Sequence, residues 1–266
     1  MSKDKLYKSM RESVKYMQKL SSEYIIKKLL ERDIYYFTPG FLSNYLDTEK
    51  DKVYNLLKTL QRKGLVERIE KGKYLVLGFE PDKVLSRPNY IANRIVTPSY
   101  ISFWNALNFY GFTEQVPRRI TLVSTKRKDD MTFKGYRFRY VRFKPQRFFG
   151  YTREGEEFSF LIADEEKAII DSILLPDHAG GIKEVFKALK RSIPEINEDK
   201  LMDYAVGMGN KSLCARLGFM LDYIGEEVKR LKKYLPKAPV KLAISKEREG
   251  DIDNGWKIYK NIDLED

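Results

Sequence analysis

Four carboxylates crowd the stretch I-A-D-E-E-K-A-I-I-D, Ile162 to Asp171: Asp164, Glu165, Glu166 and Asp171. Two-metal phosphoryl chemistry needs carboxylates close together, so a metal-dependent nuclease or nucleotidyltransferase using Asp164 and Asp171 is the enzyme reading to weigh. The same residues have a plainer account. Asp164 stands where a helix N-cap belongs, and Glu165 and Glu166 fall in the first turn, where the helix dipole favours acids. Asp171, seven residues beyond Asp164, shares its helix face, which is commonplace. Asp251-x-Asp253 lacks the Gly-Ser turn of a nucleotidyltransferase and belongs to a polar, solvated tail. No P-loop, G-x-G-x-x-G or metal-ligand spacing occurs. Gly180-Gly181 precedes a helix and reads as a loop break.

The chain has one cysteine, Cys214, and one histidine, His178. A disulfide framework and a His-rich metal site are thereby excluded. Cys–His or Ser–His–Asp catalysis would need one of these two residues, and neither sits in a recognisable motif. His178 falls in the polar loop Pro176-Asp177-His178, where solvation accounts for it, and Cys214 beside Leu213 and Leu217 reads as core. The expectation is a binding protein, with no catalytic residue, cofactor or metal.

Length and charge say what such a protein would bind. The 266 residues, 42% apolar, suffice for one large domain or two ordinary ones. The net charge of +12 points to a polyanion. It is unevenly spread: residues 1–80 carry 17 basic and 11 acidic side chains, 118–153 carry 12 and two, and 154–266 carry 18 and 23. Two basic blocks thus precede a mildly acidic half, the asymmetry of a nucleic-acid binder with a separate second domain. High charge with many Tyr and Phe suits a thermophile's cytoplasm. No apolar stretch reaches a membrane span, and MSKDKLYKSM has no signal-peptide core, so a soluble cytoplasmic protein is expected.

The first block must be positioned by helices. Ser22–Arg32 reads as a helix, and Thr38-Pro39 as a capped start for a short helix to Leu46. After Asp47-Thr48, with Thr48 as cap and Asp51 in the capping-box position, a third helix runs Glu49–Lys63. Its Val53, Leu56, Leu57 and Leu60 follow the i, i+3, i+4, i+7 pattern, and Gly64 ends it. Leu65–Ile69 and Lys73–Leu77, joined by Glu70-Lys71-Gly72, form a hairpin. The spacing L-x6-V-x3-L-x2-L-x3-G-L-V, met by Leu46, Val53, Leu57, Leu60, Gly64, Leu65 and Val66, resembles prokaryotic winged-helix regulators. With the apolar stripe buried, Lys50, Asp51, Lys52, Tyr54, Asn55, Lys58 and Arg62 face outward. Lys50, Asp51, Tyr54 and Asn55 lie in the first turns that reach base edges; Lys58, Arg62 and wing residues Lys71 and Lys73 suit phosphate. Leu6, Met10, Val14, Met17 and Leu20 predict one more amphipathic helix, packing on this unit or pairing two chains.

Beyond Pro81 the pattern changes. Thr97-Pro98 again reads as a helix start, with Tyr100, Phe103, Trp104 and Leu107 on one face and Gly111 as the stop. Arg119–Val123, GYRFRYVRF and Phe158–Ile162 read as strands. Helices are expected from Ala163 through Leu174 and over 181–191, 198–207 and 211–234, and a short strand over Lys241–Ile244. In the second basic block Arg137 and Arg139 project to one strand face, and Tyr136, Phe138 and Tyr140 to the other. Arg118, Arg119, Lys126, Arg127 and Lys128 adjoin them. This surface suits DNA or an acidic partner; stacking of single-stranded bases would require exposed aromatics.

YISFWNALNFYG (Tyr100–Gly111), T-E-Q-V-P (Thr113–Pro117), ITLV (Ile120–Val123), I-A-D-E-E-K-A-I-I-D and A-R-L-G-F-M-L (Ala215–Leu221) together resemble the AbiEi family, the type IV antitoxins of abortive-infection toxin–antitoxin systems. The resemblance covers nearly the whole chain. It implies an α+β protein: a winged helix-turn-helix DNA-binding domain over 1–80, then an antitoxin-type domain over 81–266 with a small sheet and C-terminal helices. It also implies a repressor of its own operon, with promoter DNA and a nucleotidyltransferase-like toxin as partners.

Overall fold

The computed structural model describes residues 21–226 and 228–265, and the fold is mixed α+β. The helix expected from Leu6 to Leu20 lies outside the described residues. The chain divides into two compact units after Ile95. The boundary therefore falls later than Pro81, because residues 81–95 are tied into the first unit. Lys83 Nζ donates to Tyr35 Oη at 2.9 Å, Arg94 lies over the rings of Tyr36 and Tyr90, and Lys73 Nζ donates to the Ile95 carbonyl.

The first unit runs α1 (Ser22–Leu30), β1 (Tyr36–Phe37), α2 (Pro39–Tyr45), α3 (Lys50–Arg62), β2 (Val66–Glu70), β3 (Lys73–Val76), α4 (Pro81–Leu85) and α5 (Pro88–Ile95). The Ser21 and Thr38 hydroxyls cap α1 and α2 by accepting from Tyr24 N and Phe41 N. Gly64, at φ +70°, ends α3 and lets Leu65 N reach back to the Leu60 carbonyl. Two details depart from expectation. Strand β1, two residues long, pairs antiparallel with β3 and widens the hairpin to a three-stranded sheet. Thr48 does not cap α3: Glu49 holds the N-cap position without a side-chain bond, while Thr48 N and O both bond Ser43 and close the turn. Ile25, Ile26, Leu29, Phe37, Leu42, Val53, Leu57, Leu60 and Val76 form one core.

The second unit is built on a six-stranded mixed sheet: β4 (Ser99–Ile101), β5 (Ile120–Ser124), β6 (Met131–Phe133), β7 (Tyr136–Arg142), β8 (Tyr151–Glu154) and β9 (Phe160–Ala163), in spatial order β6-β7-β5-β4-β9-β8. Strand β4 is central, antiparallel to β5 and parallel to β9. The residues after Thr97-Pro98 are thus strand, where helix was expected. Ser99, Tyr100 and Ile101 are all buried between two neighbours, and that pairing outweighs the cap-plus-proline signal. Only α6 (Trp104–Phe109) remains of the expected helix. Helix α7 (Glu165–Leu174) follows β9 directly, then α8 (Ile182–Ser192), α9 (Glu198–Gly207) and α10 (Lys211–Tyr223). The last is shorter than expected: Gly225, at φ +92°, breaks the chain before a 3-10 turn at Lys229–Tyr234.

A small sheet of β10 (Val240–Lys241), β11 (Ile252–Asp253) and β12 (Ile258–Tyr259) closes against α10. Its anchor is Trp256, buried over Gly218, with its indole Nε1 donating to Asp222 Oδ2 at 3.0 Å. A Cβ at Gly218 would overlap the indole. Gly218→Ala is therefore expected to cost about 1–3 kcal/mol through overpacking, read as a lower urea midpoint at unchanged slope.

Candidate nucleic-acid interface

Helix α3 presents two chemically distinct faces. Val53, Leu57 and Leu60 are buried in the first unit's core, with Leu56 packed partly against it. Lys50, Asp51, Lys52, Tyr54, Asn55, Lys58 and Arg62 are all exposed, so the seven positions expected to face a partner do face solvent. Tyr54 is 49% exposed, a high value for so large a ring. Lys52 makes a loose ion pair with Glu49 at 3.7 Å. Just past the helix, Lys63 is held by Glu23 at 2.9 Å, which ties the end of α3 to α1.

The hairpin divides its two lysines. Lys71 is exposed at the tip, where Gly72 takes φ +74°. Lys73 is spent inward, paired with Glu70 at 2.8 Å and bonded to the Ile95 carbonyl. The phosphate role expected for Lys73 is thus replaced by a structural one, since its ammonium holds α5. Arg68, exposed on β2 and bonded through Nε to the Glu70 carbonyl at 3.3 Å, is a cation of the hairpin that the sequence reading passed over. A bulge between Arg68 and Glu70 interrupts the ladder there, and alternation along the strand does not reveal it.

The second basic block is not one surface. Phe138 and Tyr140 are buried, so base stacking on them fails its own condition. On the opposite face the arginines part company. Arg139 is neutralised by Asp130, with both guanidinium contacts under 3 Å (2.9 and 2.7 Å). Lys126 is tethered to the Thr97 carbonyl at 2.6 Å, and Lys128 also has a partner. Arg127 is exposed. Arg118, Arg119 and Arg137 line a common cavity of about 710 Å³, together with Trp104, Asn105 and His178. Trp104, Asn105 and His178 were not expected at a site; they reach it from the helix Trp104–Phe109 and the turn Pro176–His178.

His178 is not simply solvated. Its ring lies 5.0 Å from that of Phe103, and burial, then the charges of Arg139 and Arg119, hold the imidazole below its ordinary pKa, against the pull of Asp177 and Asp130. Cys214 is buried, and burial pushes its thiol up to about 11.

Of the four carboxylates in the acidic stretch, Asp164, Glu166 and Asp171 are engaged. Asp164 caps α7 through Oδ1, accepting from Lys167 N at 2.9 Å, while Oδ2 accepts from Tyr204 Oη at 2.9 Å. Lys200 lies 2.7 Å from Glu166 and 3.3 Å from Asp164, and Glu166 also accepts from Asn197 N. Asp171 and Lys167 form a wholly buried ion pair, both side chains 0% exposed. Asp171 Oδ2 accepts from Tyr100 Oη at 3.0 Å and Ser102 Oγ at 2.8 Å, and Lys167 also donates to Tyr100. Burial pushes the Asp171 carboxyl up and the Lys167 ammonium down, each opposed by the charge of the other. Among the described residues no group of three or more His, Cys, Asp or Glu is arranged to hold a metal ion. No described helix is long and apolar enough to cross a membrane.

No family model and no curated protein matches the chain. A crystal structure of the RV2827C protein from Mycobacterium tuberculosis is similar, with a TM-score of 0.56 over 88% of this chain and 89% of that one, at 15% identity. Likeness at that identity concerns the fold: the mixed α+β arrangement extends over almost all of both chains.

Two measurements test these assignments. Asp171→Ala strands a buried ammonium and is expected to cost about 3–5 kcal/mol in urea unfolding, while Lys167→Met with Asp171→Leu recovers most of it. His178, the chain's sole histidine, has a folded pKa below its unfolded value of about 6.5. The unfolded chain then takes up the proton first, so its contribution is complete above pH ~6.5 and is lost as pH falls through the folded pKa. His178→Gln should flatten the stability profile in that window.

Proposed function

We propose that this chain is a DNA-binding transcriptional regulator of the AbiEi antitoxin type, a repressor of its own operon rather than an enzyme, whose first unit is a winged helix-turn-helix. The observation that carries this reading is α3: an amphipathic helix, second of a helix–turn–helix pair and followed by a hairpin, with its apolar stripe in the core and Lys50, Tyr54 and Asn55 outward in its first turns. A helix so mounted suits the major groove. Asn55 offers a bidentate match to adenine N6/N7, and Lys50 a donor to guanine O6/N7. Lys58, Arg62, Lys71 and Arg68 are the cations that would meet phosphate on either side. The antitoxin half rests on the sequence resemblance alone, and a nucleotidyltransferase-like toxin is the partner it implies.

The reading is tested on the protein's own upstream DNA. A protected footprint is expected, with affinity falling linearly in log salt. Asn55→Ala and Lys50→Ala should each lose about 1–3 kcal/mol of discrimination between the operator and a scrambled duplex. Lys71→Ala should weaken both duplexes alike and lower the salt slope by about 1. An unprotected upstream region would end the repressor reading. Growth inhibition by a neighbouring gene product, relieved by this protein, is the expected result for the antitoxin half.

A further inference from the structure

The arginine-lined cavity of the second unit has a chemistry that the fold does not use. Its floor is the outer face of β5, β7 and β6, and the register arranges that face in rows. In one row Thr121 stands beside Arg139, and Arg139 meets Asp130 as an ion pair. Continued one position before the first β5–β7 partners, Ile120 and Phe138, the same register would set Arg119, just ahead of β5, alongside Arg137, which has Thr132 opposite it on β6. Neighbouring strands are roughly 4.8 Å apart. Like charges facing each other at that spacing repel.

The first row resolves its charge within the protein. The second does not: among the described residues neither Arg119, Arg137 nor the adjacent Arg118 has an ion pair or hydrogen bond. Three guanidiniums thus converge on one cleft, against Asp177 as its one carboxylate not engaged with an arginine. Planar, forked donors in this arrangement match the oxygens of a phosphate.

A single inorganic anion would leave the cleft largely empty, since about 710 Å³ is the size of a site for a drug-sized organic molecule. The remaining lining suits a heteroaromatic group. Trp104 is half-buried at the wall, and its indole Nε1 is a buried donor with no acceptor among the described residues. Asn105 holds the wall to the floor, its Oδ1 accepting from Thr121 N at 2.9 Å, which leaves its amide N–H2 as a further donor. The benzo edge of Trp104 packs against Gly180, where a Cβ would come within 2.9 Å of it.

We propose that this cavity is a binding site for a nucleoside phosphate, its phosphate held by Arg119, Arg137 and Arg118 and its base placed against Trp104. The site belongs wholly to the second unit and stands independently of DNA binding by the first. It would give the regulator a small-molecule ligand whose phosphate supplies the counter-charge missing from the Arg119–Arg137 row.

Calorimetric titration of the full chain tests it, with ATP, GTP, AMP, adenosine and pyrophosphate as probes. At least one nucleotide is expected to bind tenfold or more tightly than adenosine and than pyrophosphate. The double variant Arg119→Ala, Arg137→Ala should lose tenfold or more of that affinity without a fall in melting temperature, since it removes a repulsion. Arg127→Ala, exposed in the same basic block but outside the cavity, should bind as the parent does. Absence of heat with every nucleotide overturns the proposal. Pyrophosphate binding as tightly as nucleotide overturns the base contact, and an equal loss in Arg127→Ala reduces the site to general charge attraction. Each result is read without DNA, so the footprint and the titration fail or succeed separately.

Discussion

The ion pair of Lys167 and Asp171 is the constraint on which the second unit turns. Both side chains are fully buried, and neither charge could remain at that depth without the other. The pair alone is not enough, because Asp171 has lone pairs and Lys167 has protons left over. Strand β4 and the residue after it supply what is missing: the Tyr100 and Ser102 hydroxyls bond Asp171, and Lys167 donates to Tyr100. The ammonium lies between 5.1 and 5.3 Å from the ring centres of Tyr100, Phe143 and Phe149. Helix α7 is thereby pinned to the strand at the middle of the sheet. The cap at Asp164 and the Lys200–Glu166 contact bring α9 to the start of the same helix.

This arrangement gives the acidic motif its meaning. Carboxylates close in sequence are what a metal site needs, and also what a helix start and a buried pair need. Spacing along one helix does not separate these uses, because it leaves open what the other three sides of each carboxylate touch. Lys167 apart, the partners of Asp164 and Asp171 are Tyr100, Ser102, Lys200 and Tyr204, from β4, the residue after it and α9, 36 or more residues away in the chain. Charge behaves likewise in the second basic block. Twelve basic residues in sequence become, in space, a neutralised row, several tethered side chains and one unsatisfied cluster.

How much was legible differs between the units for a physical reason. In the first, the contacts that matter are local. Thr38 caps its own helix, Gly64 ends the next, and the i, i+3, i+4, i+7 stripe of α3 determines which residues face out. Even the misses are small there: Thr48 yields the N-cap to Glu49 because Ser43 engages it, and Lys73 turns inward because α5 offers a carbonyl. In the second unit the decisive partners are distant. Tyr100 carries both helical spacing and strand propensity, and pairing with β5 and β9 decides between them. Edge strands β6 and β8 are short, with little apolar alternation to announce them.

By itself, then, the sequence determined the order and polarity of the local elements: the exposed face of α3, the capped start of α7 and the buried setting of Cys214. These follow from backbone chemistry and side-chain periodicity within a few residues. Only the tertiary structure decided that Asp171 is a core residue, that His178 sits against Phe103, and that Arg119 and Arg137 line one cavity. Each of these depends on which strand lies beside which. Such pairing brings together residues far apart in the chain, and burial then sets whether their charges must be answered within the protein.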